Sequence, residues 1–183
     1  GGTFISNYQS QVVDPKGIIQ TGQGFFVEAK SASPLVFKNS QREANNSNQF
    51  FRTSSNTEER NTVWLNATNT SGAFSQMAVG YISGATQGVD LFDGKSFGGG
   101  PIALSSILEG TNYVIQGRAL PFDDSDEVPL GFRAKTAGDF SIAIDHAIGF
   151  FASNQDIFLK DNLTNTLQNL KVGPYTFSSD AGS

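Results

Sequence analysis

The feature that most restricts this chain is its punctuation. Clusters of Asn, Ser, Thr and Gly cut the apolar residues into short runs at intervals of about eight to twelve residues, the rhythm of all-β domains. Such runs are too short for the apolar stripe of a helix, whereas alternation with a period of two buries one face of a strand. Residues 62–68 (TVWLNAT) put Val63, Leu65 and Ala67 on one face, and residues 74–82 (FSQMAVGYI) follow after a turn at 69–72. This is the clearest hairpin in the sequence. Further strands are predicted at 24–29, 35–38, 102–104, 113–119, 128–134, 139–145, 157–161, 166–169 and 174–178, with helical turns only at 105–109 and 145–151. Bulk comes from 16 Phe, against one Trp, one Met and four Tyr, and aromatics favour sheets over helices. The expected fold is all-β: an antiparallel β-sandwich, jelly-roll or immunoglobulin-like, of about eight to ten strands with strand order open.

Residues 41–59 (QREANNSNQFFRTSSNTEE) are polar and rich in Asn and Ser, and read as a linker or long exposed loop. The expected organisation is therefore N-terminal strands and linker over 1–58 and the sandwich over 59–183. A single domain over 1–183 is the other reading, since one sandwich can reach this length. The irregular, Gly-rich stretch 84–101 reads as a long loop, the kind of segment in which function concentrates.

Twelve Lys and Arg against 17 Asp and Glu give a net charge of -5 with no basic run, which argues against nucleic-acid binding, where phosphates demand a clustered positive face. The longest apolar runs fall far short of the roughly 20 residues that cross a bilayer, so no membrane span is expected. The chain has no Cys, which removes disulfides and thiolate metal sites.

Several ordered pieces are similar to a known region: GQGFFVEA, FKNSQR, NQFFR, VWLNATNTSGAFSQMAVGYISGATQGVDLFDGKSFGG, IQGRALPFDDSDEVPLGF and QDIFLKDNLTNTLQNLKVGPYTFSSDAG. Together they resemble the region just upstream of the C-terminal sorting domain in surface and secreted proteins of Bacteroidetes, especially flavobacteria, that leave the cell by type IX secretion. The resemblance implies a secreted or cell-surface setting on the exterior of the outer membrane. It also implies a structural-spacer or adhesive role, and a link to the secretion machinery through a sorting domain absent from this sequence. It brings no catalytic residues.

Read for chemistry, the residues point the same way. His146 adjoins Asp145, but no Ser lies in a nucleophile-elbow context and neighbours on a regular strand face opposite ways, so no relay and no enzyme is expected. One His and no Cys leave too few ligands for zinc. Asp123, Asp124, Asp126 and Glu127 crowd one loop, where carboxylates could surround a calcium ion or simply face water. Asp90 and Asp93 form a second acidic group in the Gly-rich loop. The competitor to a spacer or adhesin is a carbohydrate-binding module, calcium-stabilised or not, serving a secreted polysaccharide-degrading protein. Its candidate contacts are Trp64, Tyr81, Phe97 and Arg118, with Phe92, Asn66 and Gln76 nearby in kind, because sugars stack on rings and bond to amides and guanidinium groups. Trp64 lies outside if Val63, Leu65 and Ala67 face the core, and inside if the register is reversed.

Overall fold

The structure, a computed structural model, describes residues 31–32, 34, 36–42, 60–153 and 155–182. The chain divides into two compact units, Gly1–Asn56 and Thr57–Ser183. In the first, the described residues include a short 3-10 turn at Asn39–Gln41. Residues 36–38 are not in a strand, and the strand expected at 24–29 and the linker segment 43–59 lie outside the described residues.

The second unit is all-β. Its strands are β1 (Arg60–Asn69), β2 (Phe74–Ile82), β3 (Gly94–Lys95), β4 (Ile102–Leu108), β5 (Thr111–Arg118), β6 (Leu130–Ala134), β7 (Gly138–Ile148), β8 (Phe158–Asp161), β9 (Thr166–Asn169) and β10 (Tyr175–Ser179). Eight of them form one sheet in the order β10-β7-β1-β2-β5-β4-β6, with β3 on β5, while β8 and β9 make a separate hairpin. Neighbours are antiparallel except β2 and β5, which run parallel. Among the described residues no helix is long and apolar enough to cross a membrane.

The expected hairpin is present, from Arg60↔Ile82 to Thr68↔Phe74. Alternation decides its facing: Val63, Leu65 and Ala67 are buried with Met77 and Val79, and the residues between them face outward. The helical turn expected at 105–109 is instead the second half of β4. Ser105 and Ser106 are buried there, and the backbone is held by Gly131 and Leu130 of β6 and by Tyr113 of β5. Likewise β7 runs through Asp145 to Ile148, and only Gly149–Ala152 forms a 3-10 turn. At that turn Gly149 has φ +66 and sits so close to Asn61 that a Cβ would lie 2.0 Å from Asn61 Oδ1. The buried Asn61 amide oxygen accepts the Phe150 N–H at 2.9 Å, which fixes the entry to the turn.

The large sheet curls until its two ends meet. Phe132 of β6, at one end, packs on Phe140 of β7 and Phe177 of β10 at the other, with ring centroids 4.9 Å apart in each pair. Just past β10, Gly182 pairs with Ala134 at the end of β6, its N–H donating to the Ala134 carbonyl at 2.9 Å. A curled sheet of this kind encloses its own core, as stacked sheets do in a sandwich. The hairpin β8–β9 is tied on by Tyr175, whose hydroxyl donates to Asp161 Oδ2 at 2.5 Å.

Among the described residues one buried side-chain atom is unsatisfied. Gln116 on β5 is 1 % exposed, and its Oε1 has no hydrogen-bond partner among the described residues. A buried acceptor left unmade costs more than an apolar replacement of similar shape. Gln116→Met is therefore expected to stabilise the protein by about 1 kcal/mol, read as a higher urea midpoint at unchanged m-value.

Candidate functional site

The outward faces of three adjacent strands build the most organised polar surface. Register sets its rows: Trp64 of β1 lies between Ala78 of β2 and His146 of β7, Asn66 between Gln76 and Ala143, and Thr68 between Phe74 and Ser141. The β1–β7 ladder shifts register between Trp64 and Leu65, which pair with His146 and Ile144 and leave Asp145 as the extra residue of a β-bulge. A bulge suspends the alternation that would send neighbours to opposite faces. Asp145 and His146 consequently both reach solvent, their side chains 39 % and 53 % exposed, and His146 Nδ1 lies 2.6 Å from Asp145 Oδ2, placed to donate to it. This corrects the expectation that adjacency on a strand spoils the pairing.

The bulge organises the surface further. The His146 ring stacks on Trp64 with centroids 4.0 Å apart and planes 14° from parallel. The other oxygen of Asp145 accepts from Asn66 Nδ2 at 2.8 Å, and Asn66 Oδ1 accepts from Gln76 Nε2 at 2.8 Å. Gln76, Asn66, Asp145, His146 and Trp64 thus form one continuous chain of contacts across three strands. The His146 hydrogen bond, and then the Asn66 amide, hold the Asp145 carboxyl below the ordinary aspartate range. Phe74, exposed beside Thr68, adds a second aromatic four residues along β1 from Trp64, roughly 13 Å by strand rise.

Of the residues read from the sequence as sugar contacts, Trp64, Asn66 and Gln76 come together here, and Asp145, His146 and Phe74 join them. Tyr81 and Arg118 do not. Tyr81 is 3 % exposed, Arg118 is also buried, and both face inward on the parallel pair β2–β5. The reason is pairing: Tyr81 Oη and Arg118 Nε each donate to Asp126 Oδ2 at 2.6 Å, and Arg118 Nη2 donates to Asp126 Oδ1. Phe92 lies against Gly117, where a Cβ would come 2.3 Å from Phe92 Cβ. Phe97 stays at the surface, 64 % exposed, but in the stretch after β3, beside β4 and β6 rather than β1.

The acidic turn resolves into separate tasks. Asp126 is committed to Arg118 and Tyr81, while Asp123 Oδ1 accepts the Ser125 N–H at 2.8 Å and its hydroxyl at 2.6 Å, closing its own turn. Asp124 and Glu127 face solvent. Among the described residues no three acidic or imidazole side chains gather as they would around an ion. Asp90 and Asp93 shape the Gly-rich loop: Asp90 Oδ1 and Oδ2 accept the Phe92 and Thr86 N–H groups, and Asp93 accepts those of Asp90 and Gly117. Burial raises the Asp93 carboxyl above its ordinary pKa, against the opposing pull of those two N–H groups.

Two titrations check this account. In an NMR titration the Asp145 carboxyl is expected to ionise below the ordinary aspartate range and to move up in His146→Ala. Burial first, then the hydrogen bond to Asp126, pushes the Tyr81 phenol far above its ordinary value of 10.0. The folded chain therefore keeps a proton that the unfolded chain loses, and stability present below pH 10 declines as pH rises beyond it. Urea midpoints across the alkaline range are expected to fall less steeply in Tyr81→Phe than in the parent.

A family model described as a domain of unknown function (DUF8693) matches residues 3–183. Neither the curated proteins nor the solved structures contain a match. The match covers nearly every residue, and the chain belongs to the DUF8693 family.

Proposed function

We propose that the chain is a non-catalytic adhesive module of an exported bacterial surface protein, with the outer face of β2–β1–β7 as its contact surface and glycans as the ligand class. One observation carries the reading: the Trp64–His146 stack is held in place by the Asp145–Asn66–Gln76 chain of hydrogen bonds beside it. Rigid rings beside amides and a carboxylate suit sugars, whose C–H faces stack while their hydroxyls seek directional partners. Groups locked by neighbours lose little freedom on binding, which favours affinity from a small contact. The sequence resemblance to the region preceding the sorting domain of type IX-secreted proteins supports the surface setting.

The Asp145–His146 pair does not turn this surface toward catalysis. Its carboxylate is shared with an amide and its imidazole is stacked on an indole, and the hydrogen bonds of the network end at Gln76 rather than at a nucleophile. The competing role, a spacer with no ligand of its own, predicts no saturable binding.

A glycan array followed by affinity electrophoresis on the retained polysaccharides separates the two. Trp64→Ala is expected to weaken binding about tenfold while leaving the melting midpoint nearly in place, since the ring faces outward. Failure of every glycan to bind the parent chain would leave the spacer role.

A further inference from the structure

A second surface, on strands remote in sheet order from the first, has the makings of a site. The outward faces of β4 and β6 and the stretch 96–98 flank a groove of about 380 Å³. Register puts its floor together: Ala103 pairs with Arg133 and Ser105 with Gly131, all four lining it with Ile107. Gly131 keeps the floor low, because a Cβ there would press to 3.2 Å from Ile107 Cδ1 and stand 3.7 Å from Ser105 Oγ. Phe97 presents its exposed ring as one wall, anchored by the Ser96 N–H donating to the Asn112 carbonyl at 2.8 Å, and Asn112 itself lines the groove.

Charge makes the groove specific. Among the described residues Arg133 is the only charged one lining it, and its guanidinium has no hydrogen-bond or ion-pair partner there. Among the described residues no carboxylate lines the groove, although the chain as a whole carries -5. The nearest cation in sequence, Lys135, donates to the Gly99 carbonyl at 2.8 Å, and so keeps a second positive charge beside the 96–98 wall. An acidic chain that leaves an arginine unpaired in a groove free of acids is complementary to an anion, and a guanidinium binds carboxylate in a two-pronged fashion.

We infer that this groove binds a uronate unit of an acidic polysaccharide, with the sugar ring against Phe97, the carboxylate on Arg133 and hydroxyls toward Asn112 and Ser105. The inference rests on the glycan-binding reading for its ligand class, but uses none of the residues of the β2–β1–β7 face. Open to solvent, the groove admits a unit within a chain, and its mixture of one exposed ring, one cation and several neutral polar groups suits a carboxylated sugar better than a fatty acid.

The test is calorimetric titration of the full chain with oligogalacturonate, with a neutral oligosaccharide retained on the array, and with oligoglutamate, each at low and high salt. Oligogalacturonate is expected to bind and to weaken with salt. Its affinity should fall at least tenfold in Arg133→Gln and in Phe97→Ala, partly recover in Arg133→Lys, and stay within twofold of the parent in Leu163→Ala, at an exposed position of the β8–β9 turn outside both surfaces. Melting midpoints of the variants confirm that they fold. Neutral-sugar binding without oligogalacturonate binding would overturn this inference alone, whereas absence of binding to either would overturn the glycan reading with it. Equal binding of oligoglutamate would overturn the sugar and assign the groove to acidic peptides.

Discussion

The packing of Phe132 against Phe140 and Phe177 is the contact on which the architecture depends, because it joins strands from opposite ends of one sheet. Without it β6 and β10 would be the open edges of a twisted sheet with one face of its core exposed to water. With it, and with the Ala134–Gly182 rung beside it, the sheet becomes an enclosure whose interior holds Val63, Leu65, Ala67, Met77 and Leu104. The many phenylalanines thus do more than fill volume: aromatic edges and faces interlock at fixed angles and set how far the sheet curls.

The same enclosure explains why polar residues divide sharply between two roles. Inward, Arg118, Tyr81 and Asp126 form a compact ion-paired knot that ties the parallel pair β2–β5 to the loop before β6, and a charge in such a place is tolerable only when fully bonded. Outward, Asp145 and Asn66 bond to each other across strands while keeping solvent access. The first group is structural by virtue of its burial. The second is available to a ligand because its bonds orient the side chains without covering them.

Local alternation was legible in the sequence, and so were the β1–β2 hairpin and the short strands after residue 150; the facing of Trp64 was not, because alternation alone allows either register. What depended on distant partners was not. Ser105 and Ser106 look like loop or helical-turn residues until β6 takes up their backbone, and Arg118 and Tyr81 look like surface contacts until Asp126 reaches them. The bulge left a trace: core-facing positions step by two through Ile142 and Ile144 and then by three to Ala147, a phase slip that an alternation argument passes over. For the groove there was no comparable trace, because the isolation of Arg133 is a property of its neighbours in space.

The ladder between β1 and β7 has a consequence for how the molecule must be made. β1 finds β2 within one turn of chain, but its other neighbour is drawn from residues as distant as Ile148, so the middle of the sheet stays half-built until β7 is available. Closure through Gly182 comes later still. Nucleation is local and completion is long-range, the ordering that high contact order imposes. A domain of this kind emerging from a ribosome or a pore with its N-terminal side first would therefore remain pliable until β7 had followed β1, and would lock when β10 arrived.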